Sequence, residues 1–188
     1  MRHPSRAAWL FASVLTVAAP CAAAPAEIAD TIHATKPYGT GTYGLLVVTA
    51  YTAQLWTDAP RWSMDAPFAL TLHYDMGFST DDMVSRSLRE MKHVDPAAGD
   101  AALTAYGQKL AKAFPPVASG DRITALYVPG QPARFYRDGV ETTRIDDAKL
   151  NADFFGIWLS PNSSAPSLRA ELLKDSCAIT PSAGGSGR

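Results

Sequence analysis

The chain has 188 residues, of which 47% are hydrophobic and 19% charged, with a formal net charge of −1. That is enough apolar material for a packed core. A near-neutral chain without basic runs carries no electrostatic footprint for nucleic acid, so that class of partner is excluded.

The elements begin with a leader. Arg2, His3 and Arg6 open the chain, Ala7 to Ala19 is almost wholly apolar, and small residues follow with an Ala-x-Ala spacing at Ala24 and Ala26. Residues 1–26 therefore read as a cleaved signal peptide, and the protein is expected to be periplasmic or secreted. A membrane anchor would need about 20 apolar residues, and Pro20 ends this run early. Lipidation of Cys21 is disfavoured because Pro20 stands where a small residue is expected. Cleavage leaves 162 residues with no further membrane span. It removes two arginines and no acid, taking the net charge to −3. Cys177 is then the sole cysteine, so no internal disulfide can form.

Gly39, Gly41 and Gly44 punctuate the start of a long strand that is apolar on both faces from Leu45 to Trp56, as in a covered sheet. Asp58 to Pro67 is a loop. Phe68 to Met76 is a second strand with Leu70, Leu72, Tyr74 and Met76 on one face and Thr71, His73 and Asp75 on the other. Ser79 and Asp82 form a capping box ahead of a helix with Val84, Leu88 and Met91 on its stripe. A second helix follows Asp100 with Leu103, Tyr106, Leu110 and Phe114 on one stripe, and Pro115-Pro116 stops it. Strands are predicted at Arg122 to Val128, Ala133 to Arg137 and Val140 to Ile145, with Asp138-Gly139 as a hairpin turn between the last two. Helices over Asp147 to Leu159 and from near Pro166 complete one α+β domain, 27–175, and the small polar stretch 176–188 is expected to be disordered.

Most catalytic chemistry lacks its residues. His73 and Asp75 are a two-ligand fragment that a solvated strand face explains as well, so no metal is expected. There is no Gly-x-Ser-x-Gly elbow, and Gly39-Thr40-Gly41 lacks the third glycine and following helix of a dinucleotide loop, so no cofactor is expected either. Arg86, Arg89, Lys92 and His93 make a basic helix face, ordinarily a solvated one and otherwise a ligand clamp.

One set of motifs is more specific. Asn151-Ala152-Asp153-Phe154-Phe155-Gly156-Ile157-Trp158-Leu159-Ser160, then Ser167-Leu168-Arg169 and Leu172-Leu173, resembles the carboxyl end of the bacterial chalcone isomerase-like family. Gly120-Asp121-Arg122-Ile123 and Phe135-Tyr136-Arg137-Asp138-Gly139 resemble the segment before it, and Gly39 to Trp56 is similar to that family's first long strand. The resemblance implies an antiparallel β-sheet with helices packed on one face and an apolar cleft between the layers. Plant members cyclise a chalcone to a flavanone, using an arginine in a Gly-x-Gly-x-Arg-Gly-Leu pattern to steady the carbonyl oxygen. The corresponding stretch here is Gly39-Thr40-Gly41-Thr42-Tyr43-Gly44-Leu45, with Tyr43 in place of the arginine.

A phenol donates one neutral hydrogen bond where a guanidinium offers a fixed charge and a fork of donors. Tyr43 and Tyr51 are an even number of residues apart and share a face of an unbroken strand. They suit either plain core packing or the polar head of an apolar ligand. The resemblance thus implies a protein that leans towards the non-catalytic, binding an apolar ligand such as a fatty acid, with Tyr43, Tyr51, Arg86 and Arg89 as ligand-binding residues. This requires that no other guanidinium reach the wall beside Tyr43. The alternative is an isomerase, or intramolecular lyase, acting on an enone, with Arg86 or Arg89 supplying the charge. A third reading is an assembly partner without a pocket, using Trp56, Trp62 and the helices as contact surface.

Overall fold

Six strands pair antiparallel in chain order, β1 (Gly39–Leu45), β2 (Val48–Trp56), β3 (Phe68–Tyr74), β4 (Arg122–Tyr127), β5 (Ala133–Arg137) and β6 (Val140–Ile145). Helices α1 (Thr80–Val94) and α2 (Asp100–Ala113) intervene between β3 and β4, and α3 (Ala148–Leu159) and α4 (Pro166–Leu172) follow β6. The structure, a computed structural model, describes residues 24–45 and 47–173. Most of the expected leader, the tail and Cys177 lie outside the described residues.

Local signals placed most boundaries. The Ser79–Asp82 capping box is complete, with side chain and backbone bonded in both directions. The Asp147 side chain accepts from the Leu150 backbone N–H at the start of α3. Asp138 and Gly139 both take positive φ, 49° and 85°, as the β5–β6 turn demands. One expectation fails: Gly39 to Trp56 is not a continuous strand. It is a hairpin of β1 and β2, because pairing two apolar strands satisfies their backbone groups next to each other. The stripe of α1 is also displaced. Met83, Ser87 and Met91 are its buried positions, while Val84 and Leu88 are only partly buried and approach Gly107 of α2.

The main core lies between the sheet and the helices. Leu55, Phe68, Leu70 and Phe135 from the sheet pack on Met91, Leu110, Phe154 and Phe155 from the helices. Phe155 is fully buried, with its ring 4.8 Å from that of Phe68 and 5.2 Å from that of Phe154.

The opposite face of the sheet is covered too, by the segment ahead of β1. Ile28 and Ile32 bury themselves against Trp56, Ala69, Leu126 and Tyr136, which explains why β2 is apolar on both faces. Trp56 is fully buried there and so is not a contact surface, and Trp62 is half-buried against Phe68. Glu27 seals this layer: its carboxylate accepts from Arg122 at 2.9 Å and from the Thr124 hydroxyl at 2.8 Å. Among the described residues no helix is long and apolar enough to cross a membrane.

Candidate functional site

A cavity of about 460 Å³ lies between the sheet and the helices. Leu70, Leu72, Ile123 and Ala125 form its sheet wall, and Met83, Phe154, Ile157 and Trp158 face them from the helices. Volume, apolar lining and a few polar groups at one end are what a small amphiphile requires. The space is open to a ligand and not filled by the protein's own side chains.

All four residues expected to bind ligand line this cavity: Tyr43, Tyr51, Arg86 and Arg89. The tyrosines do share a face, but for a different reason than spacing along one strand. Tyr43 of β1 stands directly opposite Tyr51 of β2, and directly opposed residues in an antiparallel pair project to the same side. Their rings stack with centroids 5.3 Å apart and an interplanar angle of 17°. The register slips just after this pair, where Gly44 faces Thr49 and leaves Ala50 as the extra residue of a bulge, in the cavity wall.

The electrostatic premise drawn from the sequence does not hold. An Arg86 Nη2–H donates to the Tyr43 hydroxyl at 2.5 Å, and its guanidinium carbon lies 5.5 Å from the Tyr43 ring centroid. The fixed cation absent from β1 is supplied by α1, whose packing over the cavity brings together residues 43 positions apart. Arg86 is not a free charge, however. Its Nε–H donates to Glu90 Oε1 at 2.8 Å, an i,i+4 pair on the same helix. Glu90 is held from its other oxygen by the Ser164 hydroxyl, just ahead of α4. Arg89 sits at the exposed rim.

Tyr51 has its own fixed partner, since Trp158 Nε1–H donates to its hydroxyl at 3.0 Å. Each phenol thus accepts one bond and keeps its own O–H to give. Desolvation pushes the Tyr51 phenol far above its ordinary value, a shift that the Trp158 bond only partly offsets, and burial does the same to neighbouring Tyr74. Both stay protonated donors across the physiological range.

This sets a pH dependence. Above about pH 10 the unfolded chain loses these phenolic protons while the native state keeps them, so stability falls as pH rises, by up to about 1.4 kcal/mol per unit for each phenol. Melting temperatures recorded between about pH 9 and 11 should therefore drop steeply. Tyr74→Phe should flatten the drop, and an unchanged slope would contradict the assignment.

Glu90, Trp158, Tyr74 and Ser164 escaped the sequence reading as site residues. Only Glu90 had a usable signal there, its i,i+4 spacing from Arg86. His73 lies on the other sheet face, half-buried, with its pKa pushed down by desolvation and then by the Arg122 charge. Among the described residues no group of three or more His, Cys, Asp or Glu is placed to hold a metal ion.

The glycines of the Gly39-x-Gly41 pattern serve packing. A Cβ on Gly39 would sit 2.0 Å from the Leu172 carbonyl oxygen, and one on Gly41 2.7 Å from Leu168 Cδ1, so α4 rests directly on the β1 backbone.

Among curated proteins none matches the chain in sequence. The fold is similar to that of a fatty-acid binding protein from Arabidopsis thaliana, with a TM-score of 0.54 and 13% identity over 75% of this chain and 87% of that one. A family model described as chalcone isomerase-like matches residues 35–174, the stretch that holds the six strands and four α-helices of the described residues and the cavity between them. The chain belongs to the chalcone isomerase-like family.

Proposed function

We propose that this is an exported binding protein that holds a fatty acid or similar amphiphile in the cavity between sheet and helices. Its non-catalytic character rests no longer on a missing cation but on Glu90, which already pairs Arg86. The observation that carries the binding reading is the distribution of polarity in the cavity. Most of its lining is apolar, with Leu70, Leu72, Ile123, Ala125 and Phe154 among it, while Tyr43, Tyr51, Arg86, Glu90 and Ser164 form one linked polar cluster in its wall. An apolar chain would lie along the first and a single oxygen-bearing head would meet the second. The likeness to a protein named for fatty-acid binding supports the same class of ligand.

Protein purified without detergent and opened by mass spectrometry is expected to release such a molecule. Added fatty acid at roughly 100 times its dissociation constant should stabilise the fold by about 2.7 kcal/mol, visible as a raised melting temperature. No bound lipid and no shift with any chain length would refute the proposal.

A second reading, an isomerase or intramolecular lyase acting on an enone, is favoured by one observation: Arg86 stands beside Tyr43, where a developing enolate oxygen would need charge. Against it, Glu90 already compensates that charge. Turnover of a chalcone that disappears in Arg86→Met would establish it. Absence of turnover leaves binding as the function.

A further inference from the structure

The polar end of the cavity is unusual in the balance of its charges. Its charged lining consists of Arg86 and Arg89 against Asp82 and Glu90. Arg89 and Asp82 are exposed and the Arg86 side chain is 49% exposed, so water and salt screen all three, whereas the Glu90 side chain beside Arg86 is only 14% exposed. Glu90 is also pinned from two sides, by Arg86 Nε and by the Ser164 hydroxyl, so its charge cannot swing away when a ligand enters. What the head of a ligand meets is therefore a set of donors: the O–H of Tyr43, the O–H of Tyr51 and the unused N–H groups of Arg86. Behind them stands a fixed negative charge that has already neutralised the guanidinium.

We infer that Glu90 sets the head-group preference of this cavity, favouring an uncharged oxygen acceptor, such as the carbonyl of a long-chain ketone, aldehyde or ester, over a free carboxylate. The inference rests on the amphiphile-binding reading above and narrows it. A carbonyl oxygen accepts from the phenols and the guanidinium without adding charge. A carboxylate accepts from the same donors but brings a second anion onto a guanidinium that is already paired, next to the mostly buried Glu90, where screening is weaker than in open water and like charges repel.

The test compares two ligands that differ in one group, decanoate and methyl nonyl ketone, in which a methyl replaces one carboxylate oxygen. Calorimetric titration at neutral pH should show the wild-type protein binding the ketone about tenfold more tightly than decanoate. Glu90→Gln keeps an oxygen for Arg86 Nε and removes only the charge. It should bring the ratio to about one or reverse it, chiefly by tightening decanoate. Ser164→Ala, which frees Glu90 without removing it, should narrow the ratio only in part. Wild type binding decanoate as tightly as the ketone, or a ratio unmoved by a folded Glu90→Gln protein, would overturn the role of Glu90 and leave the binding reading standing. Failure of wild type to bind either ligand, or any other chain length, would overturn both.

Discussion

Ala125→Phe should weaken ligand binding by on the order of 100-fold while leaving the protein folded. Ala125 is 3% exposed, lies on β4 near the middle of the sheet, and contributes its methyl to the cavity wall. A benzyl group there would project into open space and not into a filled core, so the usual penalty of about 1–3 kcal/mol for overpacking should be small or absent. The ring would displace roughly four methylenes of a bound chain, each worth about 0.8 kcal/mol. That is about 3 kcal/mol, or on the order of 100-fold in affinity. The expected result is a melting temperature close to wild type that rises only slightly with fatty acid at the concentration that stabilises wild type by about 2.7 kcal/mol. A variant that still gains full stability from ligand would mean that the ligand sits elsewhere.

Gly39→Ala should destabilise the fold severely for a single added methyl. The added carbon would sit 2.0 Å from the Leu172 carbonyl oxygen, 2.4 Å from the carbonyl carbon and 2.7 Å from the Glu171 carbonyl oxygen. These are backbone atoms with no rotamer to retreat into, so β1 or α4 must move. The expected cost is about 3 kcal/mol, at the upper end of overpacking penalties, which lowers the melting temperature by roughly 10 °C in a domain of this size. The loss should be local before it is global, with amide protection falling first across residues 166–172. Gly41→Ala is the control. Its new carbon would meet the Leu168 and Glu171 side chains, which can shift, so it should cost about 1 kcal/mol. Equal losses in the two variants would show that α4 does not rest on the β1 backbone as described.

The two glycines illustrate what a sequence can and cannot convey. Gly39 and Gly41 stand in a pattern that marks a phosphate loop in one context and a family motif in another. Which purpose they serve is settled by α4, whose sequence lies about 130 residues away. Features governed by near neighbours were legible. The capping box at Ser79, the Asp138-Gly139 turn and the proline stop after α2 each depend on contacts within a few residues, and each holds in the fold. The alternation of Leu70, Leu72 and Tyr74 against Thr71 and His73 correctly assigned the faces of β3, since burial of one sheet face is written as a period of two.

Where two elements meet, residue order carries no warning. An apolar stretch as long as Gly39 to Trp56 looks the same whether it runs straight or folds back on itself, and the hairpin shows only in the pairing of Tyr43 with Tyr51. The same limit misjudged the charge at the site. A search along β1 and β2 finds no arginine, because the guanidinium beside Tyr43 belongs to a helix that reaches it across the cavity.

By itself the sequence determined the family, the α+β class, the order of the elements and the four residues that come to line one cavity, because these follow from local hydrogen bonding, burial patterns and motifs. Tertiary structure alone decided the electrostatics of that cavity. Whether a guanidinium faces a phenol, and whether a carboxylate has already claimed it, depends on distances of a few ångströms between segments that the chain keeps far apart. Coulombic and hydrogen-bond energies are set by those distances and by local dehydration, neither of which residue order records.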